Sequence, residues 1–171
     1  MNTEIKIIPL KGITINNKLN IMFGNTFNEI MSCLKLEHID VANKSYFFDN
    51  NLCLEFDSEN KLVFIEFSNS EIITLNMFGQ NPFKLTDEEL ISFLYKHYNI
   101  YDNMPTDFSE IADYILKPQN ISMYRSITPY SIMLSIEEAK NSGCYHEDMN
   151  RDYLKFRFFE TIGIAAEGYF G

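Results

Sequence analysis

Within "GCYHEDMN" the chain places Cys144, His146, Glu147 and Asp148 close together, and a thiol, an imidazole and two carboxylates are donors that a divalent metal ion takes. The spacing matches no zinc signature, since there is no CxxC pair and no HExxH, and the same residues read equally as a solvated loop. Cys33 with His38, or Cys144 with His146, would pair a nucleophile with a base, but each needs a third orienting group and an oxyanion site that proximity does not supply. Cys33 lies between Met31 and Leu34 on a helical repeat, where a small buried hydrophobe is the expected role. His97 follows Phe93 by four residues and reads as a helix-face histidine near a C-terminus, and His38 falls in a loop. Glu88 with Glu89 and Glu137 with Glu138 are neighbours in sequence, the mark of solvated helix faces rather than of a carboxylate pair with one raised pKa. The 7 glycines are scattered, and neither a phosphate-cradling loop nor a GxSxG elbow occurs. The expectation is no catalytic residue, no metal and no cofactor.

The elements that must carry these residues are clearer. "FGNTFNEIMSCL" (23–34) and "FGQNPFKLTDEELISFL" (78–94) each open on Phe-Gly, then a Thr-x-x-Glu capping box at Thr26/Glu29 and Thr86/Glu89. Phe27, Ile30, Met31 and Leu34 then keep a helical apolar phase, as do Leu90, Phe93 and Leu94 in the second copy, whose helix is expected to reach about Tyr98. After the first helix, "SYFFDNNLCLEFDSENKLVFIEFSNSEIITLNMF" divides into four β-rich runs joined by "DNN", "DSENK" and "SNS". Links that short predict an antiparallel meander.

In the second half "DYILKPQNISMYR" parallels "SYFFDNNLCLEF", Tyr114 matching Tyr46 and Asn120 matching Asn51. The run from Pro129 to Lys140 has two readings. Tyr130, Ile132, Leu134 and Ile136 alternate with Ser131 and Ser135 as in a strand, while Thr128, Pro129 and Gly143 stand where a helix would place its N-cap, first residue and C-cap. A strand turning into a helix near Ile136 reconciles them. A β-rich segment closes the chain, and "NIYDNMPTDFSEIA" is an irregular or briefly helical connection. The polar stretch "EEAKNSGCYHEDMNRD" has no counterpart in the first half and reads as an inserted loop.

These elements predict an α+β fold over 1–171 as a single domain, with mainly antiparallel sheet and two packing helices near 26–35 and 86–98. Residues 23–78 and 78–169 read as pseudo-repeats of a helix-then-four-strand module, or as two chance occurrences of a common pattern. Ile30, Leu34, Leu54, Phe56, Phe64, Leu90, Leu94 and Ile164 are the expected core. The chain has 171 residues, 46% of them hydrophobic, enough for one core without disulfide or metal staples. Its 3 cysteines are an odd number suited to a reducing compartment, and its opening "MNTEIKIIPLKG" has no apolar signal region, so a cytoplasmic place is expected. The abundance of Asn, Ile and Lys suggests an AT-rich, bacterial genome.

A net charge of −10 repels phosphate backbones and anionic headgroups, so nucleic acid and membrane are poor partners. The helix-plus-meander order, with "GNT" at Gly24 to Thr26 as a Gly-x-Thr helix start, resembles the tandem modules of the β-lactamase-inhibitory protein family and related assembly lipoproteins. The second copy departs from that start, and the paired cysteines and signal peptide of secreted members are missing. By size, charge, Phe/Tyr-rich strands and lack of catalytic motifs, the chain also resembles small acidic immunity proteins of bacterial polymorphic toxin systems. That resemblance implies a non-enzymatic module that occludes a protein partner, such as a basic toxin domain. A small-molecule-binding domain and an enzyme of unrecognised class are the alternatives. The expected partner-binding residues are Glu137, Glu138, Glu147, Asp148 and Asp152; oligomeric state is open.

Overall fold

The computed structural model describes residues 3–100, 102 and 104–171. In chain order the elements are β1 (Thr3–Ile8), β2 (Gly12–Ile15), β3 (Leu19–Met22), α1 (Phe27–Leu34), β4 (His38–Val41), β5 (Lys44–Phe47), β6 (Leu52–Phe56), β7 (Leu62–Ser68), β8 (Ile73–Asn76), α2 (Asp87–His97), β9 (Asp113–Leu116), β10 (Ile121–Tyr124), α3 (Pro129–Ser142), α4 (Asp148–Lys155) and β11 (Thr161–Ala165). This is an α+β fold with two mainly antiparallel sheets, ordered β3-β2-β1-β8 and β4-β5-β6-β7-β11-β10-β9. The chain divides into two compact units, the first formed by 1–82, 115–123 and 161–171, the second by 83–114 and 124–160.

In the first unit, β1 pairs antiparallel with β2 and parallel with β8. Here the expected four-strand meander is corrected. β5, β6 and β7 do run antiparallel in succession, but the link from Asn69 to Ile72 takes β8 away to the other sheet, where Thr3 N donates to Ile72 O. Met1 and Asn2 of the opening, and Tyr101 and Asn103 of the connection after α2, lie outside the described residues. In the larger sheet Phe47, Leu52, Phe67 and Ile162 share one row across four strands, and Leu54, Ile65 and Ile164 share the next; all are at most 1% exposed. Every residue of the expected core is buried.

Cys33 is corrected: it is exposed on α1, whose buried residues are Ile30 and Leu34, so it faces away from them. Helix α1 starts with the expected capping box, Thr26 N donating to Glu29 Oε2 at 2.8 Å and Glu29 N to Thr26 Oγ1 at 3.4 Å. A second correction concerns 129–140, which is helix throughout. Thr128 caps it through Ser131 N, Pro129 occupies its first turn, and Gly143 ends it with φ +73°. The local cap and stop signals prevail over the alternation because α3 buries only Pro129 and Ile136.

Candidate functional site

The five expected partner-binding carboxylates all lie in the second unit, on α3 and at and within α4, and all are exposed. Between these helices Lys140 lies over the Tyr145 ring at 5.2 Å, and Asn150 donates to Tyr145 Oη. The stretch predicted as an inserted loop is thus mostly helical. Glu137 and Glu138 stand in the later turns of α3, and no ion pair to either is seen among the described residues. On α4 the charges are partly offset, Asp148 taking Arg151 Nη2 at 2.6 Å and Asp152 taking Lys155 Nζ at 3.0 Å. Glu147 occupies the N-cap position of α4 without a side-chain cap bond.

What sequence reasoning missed is apolar. Tyr130, Met133 and Leu134 follow at i, i+3 and i+4 on α3 and are 36%, 45% and 41% exposed. At 100° per residue Glu137 continues their stripe, while the buried residues Pro129 and Ile136 fall together along its Met133 flank. Leu154 of α4 is exposed as well. The strand reading of 129–140 hid this stripe, because alternation put Met133 and Leu134 on different faces.

Beneath these helices the unit is organised by Arg125, which has no exposed surface. Its Nη1 donates to Asp87 Oδ2 at 2.7 Å and to Phe156 O at 2.8 Å, its Nη2 to Phe108 O at 2.6 Å, and its Nε to Ile111 O at 2.6 Å. The guanidinium also lies 5.1 Å from the centre of the Phe159 ring. Asp87 is held in turn as the first residue of α2, behind the Thr86/Glu89 capping box, and accepts from Glu88 N. One side chain thus ties the start of α2, the connection at 108–111 and the end of α4.

A cleft of about 370 Å³ opens beside this knot, lined by Asp87, Glu88, Asp107, Ser109, Tyr153, Arg157 and neighbours. Donation from the Ser109 hydroxyl, then from its N–H, holds the Asp107 carboxyl below its ordinary range, so it stays ionised. Arg157 approaches Glu88 at 3.9 Å. With Asp87 satisfied by Arg125, Glu88 and Asp107 face one guanidinium, and the cleft favours a cationic group over an anionic one.

The three histidines occupy separate elements: His38 on β4, His97 at the end of α2 against Phe93 and Tyr98, and His146 between α3 and α4. No group of three or more His, Cys, Asp or Glu among the described residues is placed to hold a metal ion, the Cys144–Asp148 stretch included. No described helix is long and apolar enough to cross a membrane. Compared with known proteins, the chain matches no family model, no curated protein and no solved structure.

Proposed function

We propose that this chain is a protein-binding module of the immunity or inhibitor kind, acting in a bacterial cytoplasm, which occludes a basic protein partner such as a toxin domain. The observation that carries the reading is the exposed Tyr130–Met133–Leu134 stripe of α3, bordered by the carboxylates of Glu137 and Glu138. An apolar centre excludes water and supplies the affinity, while a charged border supplies rate and selectivity. The net charge of −10 adds a field that attracts a basic surface.

A photo-crosslinking residue at position 133 in the native host tests it. A basic protein should be captured, and its purified form should bind the chain with an affinity that falls steeply as salt rises. Leu134→Asp should weaken that binding at least about tenfold, and Glu137→Lys with Glu138→Lys should chiefly slow association. Reversing Glu147 and Asp148 should act less, because Asp148 is already offset by Arg151. An acidic captured protein, or binding indifferent to Leu134→Asp, overturns the proposal.

A further inference from the structure

At the open end of the seven-stranded sheet, β4 is the outermost strand, and all four of its residues are exposed. Ile39 and Val41 are 61% and 56% exposed. The strand carries no lysine, proline or bulge, and Asp40 is its one carboxylate. Its loop to β5 has two residues, Ala42 and Asn43, so Val41 with Lys44 forms a hydrogen-bonded pair, and alternation makes Ile39 with Tyr46 the next. The N–H and C=O groups of His38 and Asp40 therefore point away from β5, toward the open edge.

We infer that this edge is covered by a second copy of the chain, its β4 antiparallel to this one with Ile39 on the two-fold axis. Such an axis sets each residue opposite one on the same sheet face. His38 and Asp40 share the inner face, in the rows of Phe47 and Ser45, and Ile39 and Val41 share the outer one. With Ile39 on the axis, Ile39 meets its own copy in a non-hydrogen-bonded pair, where side chains come closest. His38 then meets Asp40 of the copy in a hydrogen-bonded pair, and symmetry repeats this on the other side. Within one strand His38 Nε2 already lies 3.6 Å from Asp40 Oδ2, and Ser45 Oγ donates to Asp40 Oδ1, so pairing extends an existing imidazole–carboxylate contact across the axis, twice, rather than creating the first one. Placing Asp40 on the axis instead would set carboxylate against carboxylate, which opposes pairing. In the favoured register Val41 of the copy falls opposite Glu37, beside a groove of about 700 Å³ lined by Leu36, Ile39, Tyr46 and Phe48 among others. This surface belongs to the first unit, and the inference does not rest on the binding role of α3.

Sedimentation equilibrium of the full chain, from micromolar to near-millimolar, should show a reversible dimer. Ile39→Lys, at an exposed position, should raise its dissociation constant by roughly tenfold or more. His38→Asp should do the same, and the double variant His38→Asp, Asp40→His should restore the dimer by exchanging the facing groups. Should that variant fold poorly by circular dichroism, oxidative cross-linking decides. With Cys33 and Cys144 changed to serine, Ile39→Cys should form an intermolecular disulfide and Val41→Cys should not. A chain monomeric throughout the range, a dimer indifferent to Ile39→Lys, or the reverse cross-linking pattern overturns the inference.

Discussion

Arg125 ties three parts of the second unit together. Removing it strands the Asp87 carboxylate together with the carbonyls of Phe108, Ile111 and Phe156. Arg125→Met should therefore cost about 3 to 5 kcal/mol in unfolding free energy, read from denaturant midpoints. Changing Asp87 to leucine as well should not recover it, because the three carbonyls stay unpaired. Nothing in the sequence marked this arginine, since its partners lie 14 to 38 positions away and no local pattern joins them. Glu66 poses the opposite case. Burial raises its carboxyl above the usual range, against the pull of Lys44 and a hydrogen bond from Thr161. The folded chain holds that proton more tightly than the unfolded one. This contribution to stability is therefore complete in acid below the unfolded value and is lost as pH rises through the raised one. Glu66→Gln should stabilise the chain at neutral pH and lose that advantage in acid, as paired urea titrations would show.

At the scale of elements, the helix starts were legible because a capping box is written within four residues. Thr26→Ala and Thr86→Ala should each cost about 1 kcal/mol in thermal or denaturant unfolding. Glu29 and Glu89 lie below the ordinary carboxyl range through hydrogen bonds from the threonine N–H and then hydroxyl, so this support should fade as pH falls through their lowered values. Other elements were legible but went unread. In "TEIKII", "GITI" and "LNIM", Ile5, Ile7, Ile13, Ile15 and Ile21 are all buried, and the Asn16–Asn17 turn, with φ of +50° and +55°, joins β2 to β3. That is a period of two broken by a hairpin turn. Helix α3 was ambiguous for a physical reason, because it carries apolar residues on two faces. The destination of β8 could not be read locally at all, since pairing parallel to β1 is decided by a strand some seventy positions earlier.

Across the whole molecule, the larger sheet reads symmetrically outward from the β7–β11 pair, through β6 and β5 on one side and β10 and β9 on the other. Each set of three strands follows one capped helix in sequence, with β4 and β8 additional after the first helix and α3 and α4 inserted in the second set. The symmetry makes β11 a central strand, buried at Ile162, Gly163, Ile164 and Ala165. Ile164→Pro would remove a ladder donor there and force a bend, so its heat unfolding should lose its cooperative transition, as calorimetry would record. The same placement governs how the chain reaches its native state. β7 ends at Ser68, and its antiparallel neighbour begins only at Thr161. During refolding "LVFIEFS" must wait for that distant segment with one edge open, apolar and strongly β-prone, so the chain should fold slowly and clump readily when concentrated. Its most vulnerable moment is the interval before β11 arrives.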